Sequence, residues 1–129
     1  MAKIMIVDDS SMMRRNLKKI ISEAGHEVVA EVSNGSDACT TYEEYMPDLV
    51  TMDITMPYLD GIEAVKTIKE VFPDANIIMI SAHGQEDKIY KAIKAGAKGY
   101  IVKPIRPSKV AQVIDQVLAK SSQKEKVKP

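Results

Sequence analysis

The sequence predicts an α/β fold: one doubly wound, five-stranded parallel sheet carrying five helices. Three observations lead there. Short, almost uninterrupted apolar runs recur along the chain, as expected of strands covered on both faces. Between them, apolar residues return at helical spacing. The runs also end on polar residues of related chemistry, Asp8-Asp9, Asp53, Ser81 and Lys103, where an open parallel sheet presents its ligand site.

Lys3 to Val7 is the first run, and Asp8, Asp9, Ser10 and Ser11 end it. Either serine can cap the helix that follows, whose apolar residues Met13, Leu17, Ile20, Ile21 and Ala24 stop at Gly25. Val28 to Val32 is the second strand, placed at an edge by its flanking Glu27 and Glu31. Asn34, Gly35 and Ser36 turn the chain into a helix marked by Ala38, Tyr42, Tyr45 and Met46 and closed by Pro47. Leu49 to Asp53 is the third strand. A loop through Pro57, Leu59, Asp60 and Gly61 leads to a helix with Ile62, Val65, Ile68 and Phe72 on one face, and Pro73-Asp74 turns out of it. Asn76 to Ile80, the most uniformly apolar run, belongs inside the sheet, with Ser81 to Gln85 as the loop after it. Ile89, Ala92 and Ile93 define a fourth helix ending at Gly96, and Gly99 to Val102 a fifth strand. Lys103-Pro104 is extended or turned, because the residue before a proline is pushed out of the helical region. The last helix starts near Pro107-Ser108 and carries Val110, Val113, Ile114, Val117 and Leu118. One domain is expected over residues 1–120, with a polar, lysine-rich tail over 121–129 that includes Lys124, Lys126 and Lys128.

The 129 residues, 45% hydrophobic, suffice for one real core. Eighteen basic and 18 acidic residues cancel, so no overall field draws the chain to nucleic acid or to an anionic membrane. The single cysteine, Cys39, cannot form an internal disulfide and lies in a helical pattern, as suits a small half-buried side chain in a reducing compartment. No leader-like N-terminus or bilayer-length apolar run is present. A cytoplasmic protein without membrane insertion is expected, and since a neutral, compact single domain gives no reason to expect a stable dimer, a monomer is expected.

An acid at the end of an otherwise buried strand is held where a ligand can reach it. Three carboxylates gathered at one edge repel one another unless protons are taken up or a cation sits among them. Oxygen ligands with room for water favour magnesium over calcium. Lys103 adds a fixed positive charge, and Ser81 a hydroxyl donor. A carboxylate between a divalent cation and an ammonium can accept an anion, most simply a phosphoryl group, with Asp53 as the nucleophile.

Asp8-Asp9, Asp53 with Met56-Pro57 and Gly61, Ser81-Ala82, Tyr100 and Lys103-Pro104 together resemble the receiver domain of two-component response regulators, over essentially the whole chain to about Leu118. Within that family the chain is most similar to stand-alone chemotaxis regulators of the CheY type, including those whose phosphorylation loop reads like Thr51 to Pro57. The resemblance implies a flavodoxin-like sheet in the order 2-1-3-4-5 and a stoichiometric phosphoacceptor rather than a turnover enzyme. It implies that Asp53 takes a phosphoryl group from a histidine of a kinase such as CheA. Asp9 and Asp53 would bind magnesium directly, Asp8 through water, and Thr55 through its backbone carbonyl. Lys103 would pair with the phosphoryl oxygens, with the Lys103-Pro104 bond cis, while Ser81 moves toward the group and Tyr100 turns inward. The output surface would be the fourth helix, fifth strand and fifth helix, read by a partner such as a flagellar motor switch protein.

Thr55 and His83 stand where the best-known chemotaxis regulators commonly carry Asn and Glu, so both are expected to tune dephosphorylation and the engagement of an auxiliary phosphatase. Three other readings compete. An Asp-dependent phosphatase would want a second acid two residues after the nucleophile, where this chain has Thr55. A flavin-binding module would set cofactor phosphate against Asp8-Asp9, which repel it. The receiver could instead serve another phosphorelay or a transcription regulator, although nothing after Leu118 resembles a DNA-reading helix pair and no direct DNA binding is expected.

Overall fold

The computed structural model describes residues 1–56 and 59–127, with side chains described through residue 121. Strands β1 (Lys3–Val7), β2 (Glu27–Val32), β3 (Leu49–Asp53), β4 (Ile77–Ser81) and β5 (Gly99–Val102) alternate with helices α1 (Ser11–Glu23), α2 (Ala38–Tyr45), α3 (Gly61–Val71), α4 (Glu86–Ala95) and α5 (Pro107–Val127). All neighbouring strands run parallel, in the order β2-β1-β3-β4-β5. The expected edge position of β2 and interior position of β4 both hold.

The two-residue period of the strands divides the core. Met5, Val7, Val50, Met52, Ile77 and Met79 point to the side covered by α2, α3 and α4, where they meet Tyr42, Val65, Ile68 and Ala92. Ile4, Ile6, Leu49, Ile78, Ile80 and Ile101 point to the other side, against Leu17 and Ile21 of α1 and Val110, Val113, Ile114 and Val117 of α5. Each such fully buried side chain is worth roughly 1.5–3 kcal/mol, and both faces are filled, which is why the runs read as continuous rather than alternating.

Local chemistry sets the helix ends. Ser10, not Ser11, caps α1, its hydroxyl accepting from the Met13 amide, and Asp60 caps α3 by accepting from the Glu63 amide. Three features depart from the sequence reading. Tyr45 and Met46 are exposed, at 46% and 55%, rather than on the buried face of α2. The helix ends at Tyr45, and Met46 takes a left-handed conformation (φ 43°) as its C-cap, so the helical spacing that groups Met46 with Ala38 and Tyr42 does not extend to it. Ile93 is also 41% exposed, because α4 meets the core through Ala92, with Ile89 packed beside it. Finally, the stretch expected as a polar tail over 121–129 is helical as far as Val127, because α5 continues into it; it contains good helix formers and no glycine or proline before Pro129.

Candidate functional site

Register assembles the site. Val7 pairs with Met52, Asp53 with Ile80 and Ser81 with Val102. The residues at or just beyond these pairs, Asp8, Asp9, Asp53, Ser81 and Lys103, therefore converge at the carboxyl edge of β1, β3, β4 and β5. One carboxylate oxygen from each of Asp8, Asp9 and Asp53 lies within 4.8 Å of the other two. Lys103 Nζ stands 3.6 Å from Asp53 Oδ1.

Backbone contacts hold these groups. The Asp8 amide donates to the Val32 carbonyl, that of Ile54 to Ile80, and that of Lys103 to Ser81. The Gly61 amide donates to the Ile54 carbonyl at 2.8 Å, bringing the start of α3 against the end of β3. A Cβ at Gly61 would overlap the Asp53 carbonyl oxygen, so glycine is the residue that permits this approach. The Lys103-Pro104 bond is cis, as the resemblance implies.

Burial makes the carboxylates uncomfortable. Asp8 and Asp53 are 1% and 5% exposed, whereas Asp9 is open to solvent. Burial first, and then the Asp8 charge, lift the Asp53 carboxyl from 3.8 to about 6, against the pull of Lys103 and of the Thr55 backbone amide. Burial also raises Asp8, although the Ser10 amide donates to its Oδ1 at 2.9 Å. Asp8 Oδ2 is buried with no hydrogen-bond partner. An orphaned buried carboxylate oxygen beside two further carboxylates is a donor set for a hard divalent cation, and three protein carboxylates with an open side suit magnesium.

The remaining candidates fall around this centre. Ser81 is fully buried, and its Oγ has no hydrogen-bond partner. Tyr100 is 50% exposed on β5, outside the core. Thr55 is exposed, its hydroxyl accepting from Gln85 Nε2 at 3.0 Å. His83, also exposed, lines an open groove of about 440 Å³ with Lys103, Pro104, Arg106 and Lys109. Pro57 of the quoted motif lies outside the described residues, as do Lys128 and the side chains of Lys124 and Lys126.

Two site neighbours carry no sequence signal. Arg14 Nη1 donates to the Asp8 carbonyl at 2.7 Å while its Nε pairs with Glu31 at 3.5 Å, tying α1 and β2 to the acidic corner. Gln85 spans the β3–α3 and β4–α4 loops, its Oε1 accepting from the Ala82 amide at 2.7 Å. In sequence each is an ordinary polar residue on a helix face or in a loop, and its partners are known only once the chain is folded.

Residues 4–115 match the family of the response regulator receiver domain. The chain is 50% identical to the chemotaxis protein CheY of Thermotoga maritima over 115 residues, 89% of this chain and 96% of that one. It is 51% identical to the chemotaxis protein CheY of Bacillus subtilis over 116 residues, 90% and 97% of the two chains. Among solved structures it resembles a chain of the CheX-CheY-BeF3-Mg complex from Borrelia burgdorferi, with a TM-score of 0.85, 37% identity and coverage of 89% and 87%. With the strand order and the acidic strand-end cluster already in place, these likenesses make the chain a member of the response regulator receiver domain family, of the CheY type.

Proposed function

We propose that the chain is a phosphorylation-activated switch in which Asp53 accepts a phosphoryl group from a histidine kinase, with magnesium at Asp8, Asp9, Asp53 and the Thr55 carbonyl. The observation that carries this reading is the gathering of three carboxylates within 4.8 Å, with the Lys103 ammonium 3.6 Å from Asp53. Three carboxylates and one ammonium leave two negative charges, which one divalent cation cancels. When bound, the cation supplies charge neutralisation for these oxygens and for the incoming phosphoryl group. An Asp53 carboxylate oxygen attacks phosphorus, the phosphorus–nitrogen bond to the donor histidine breaks, and the imidazole leaves with the bonding pair. Lys103 stays beside Asp53 as the fixed counter-charge. The family resemblance supports a CheA-like kinase as the donor.

Phosphorylation replaces one carboxylate charge by about two, together with three acceptor oxygens. Ser81, whose hydroxyl is buried and unpartnered, is the nearby donor to recruit, and its movement makes room for Tyr100 to turn inward. The readout face is then α4, β5 and α5, where Tyr90, Ile93 and Tyr100 stand 62%, 41% and 50% exposed; an apolar, aromatic patch of this kind suits a protein partner. In that role the family resemblance points to a flagellar motor switch protein in a cytoplasmic setting, with an auxiliary phosphatase to end the signal; that the relatives are chemotaxis proteins and that one neighbour is a CheX-CheY complex supports this reading. Thr55 and His83, on the loops flanking Asp53, tune hydrolysis; identical decay of phosphorylated wild type and His83→Ala would remove His83 from that role.

Acetyl phosphate with and without magnesium, followed by intact-mass spectrometry, tests the reading. One phosphoryl group is expected on wild type with magnesium and none on Asp53→Asn. Failure of the folded wild type, beside a competent control receiver, would overturn it.

A further inference from the structure

The Gln85 carboxamide makes two hydrogen bonds at once. Its Oε1 accepts from the Ala82 amide at 2.7 Å and its Nε2 donates to Thr55 Oγ1 at 3.0 Å. Ala82 follows Ser81, whose hydroxyl has no partner, and Thr55 lies two residues beyond Asp53. One half-buried side chain at the start of α4 therefore ties the loop after β4 to the loop after β3, across 30 residues of sequence.

We propose that Gln85 is a latch: a positioning residue that holds the β4–α4 loop in its unphosphorylated arrangement and occupies the Ala82 amide that an anion on Asp53 would otherwise recruit. This rests on the phosphoacceptor reading above. A phosphoryl group brings three acceptor oxygens into a corner where Gln85 already engages Ala82 N–H and Thr55 Oγ1. Hydrogen bonds to an anion are roughly twice as strong as those between neutral groups, so the arriving charge can take the Ala82 amide from a neutral carboxamide. The loop is thereby freed, and Ser81 with it. Before that charge arrives, the two neutral bonds bias the loop toward its closed position. The latch thus sets how readily the site takes up a phosphoryl group as well as how stably the loop sits.

The test compares wild type, Gln85→Met, which keeps the length and loses both polar functions, Gln85→Glu, Thr55→Val, and Gln85→Met with Thr55→Val. Two quantities are read: hydrogen exchange of the Ala82 amide in the unphosphorylated, magnesium-free protein, and the initial rate of phosphoryl uptake from acetyl phosphate with magnesium. Gln85→Met is expected to speed Ala82 exchange by roughly three- to tenfold, the worth of one net hydrogen bond, and to speed uptake by a similar factor. Thr55→Val should have a smaller effect, and the double variant should add nothing to Gln85→Met, because both changes open the same latch. Gln85→Glu should restore Ala82 protection, since a carboxylate can accept from the amide and from the Thr55 hydroxyl. Ala82 exchange in Gln85→Met equal to wild type would overturn the proposal. So would faster exchange with unchanged uptake, which would leave Gln85 a loop tether of no consequence for phosphoryl transfer. Absence of uptake by wild type would sink the phosphoacceptor reading and the latch with it, whereas uptake by wild type that Gln85→Met leaves unchanged would sink the latch alone.

Discussion

Replacing Asp53 by asparagine should stabilise the metal-free protein. The Asp53 carboxyl is raised from 3.8 to about 6, by burial first and by Asp8 next. At neutral pH the folded state must carry a charge that the unfolded chain holds more cheaply. Between these two values the folded protein binds more protons than the unfolded chain, so stability falls as pH rises through the window. At about 1.36 kcal/mol per unit, the shift corresponds to roughly 3 kcal/mol above the window. Asparagine mimics the neutral acid and should recover most of it, raising Tm by about 5–10 °C for a domain of this size. At about pH 4.5 the same linkage leaves only about 1 kcal/mol of difference. The assay is urea unfolding of wild type and Asp53→Asn with a chelator present, at about pH 7.5 and pH 4.5. A variant no more stable than wild type at the higher pH, or a gain that does not shrink at the lower one, would refute the claim that Asp53 is electrostatically strained.

Three further outcomes follow from the same geometry. Magnesium at ten times its dissociation constant should stabilise wild type by about 1.4 kcal/mol, an effect that disappears in Asp53→Asn and fades as pH falls through about 6, because a cation competes with protons for the carboxylates; thermal shifts across pH measure it. Gly61→Ala should cost about 1–3 kcal/mol and weaken the magnesium response, since its Cβ would overlap the Asp53 carbonyl oxygen; urea midpoints and thermal shifts report both. Thr51→Val should be stabilising by about 1 kcal/mol, because Thr51 Oγ1 is buried in β3 with no hydrogen-bond partner, and the urea midpoint should rise with an unchanged slope.

The strands were legible because a residue covered on both faces has to be apolar whatever its neighbours are, so Ile77 to Ile80 announces an interior strand without reference to the rest of the chain. The edge strand β2 was legible for the opposite reason: Glu27 and Glu31 are exposed, and Glu31 pairs with Arg14 and Lys18 of α1. The acidic centre followed from the strands, because parallel neighbours in register must bring their carboxyl ends together. Surface-facing helix residues were harder. Tyr45, Met46 and Ile93 satisfy helical spacing, yet α2 ends before Met46 and α4 lies on the sheet only along its Ala92 side; spacing gives the face of a helix, not its end or its tilt. Arg14 and Gln85 were invisible, since any polar side chain suits their local sequence and only folding supplies their partners.

That division has a physical consequence. The legible part is a buried sheet ending in Asp8, Asp9, Asp53 and Lys103, and on the proposed reading it sets what chemistry can occur, because carboxylates so gathered repel unless a cation is accommodated. The loops that carry Thr55, Ala82, His83 and Gln85 are braced by two exposed hydrogen bonds of the Gln85 side chain, which no sequence signal announces, each worth only about 1 kcal/mol. A difference of that size changes a two-state population several-fold without threatening the fold. Under the proposed function, sheet and loops would therefore separate the capacity for phosphoryl transfer from its rate and lifetime: substitutions on the loops should retime the switch, whereas those at the strand ends should abolish it.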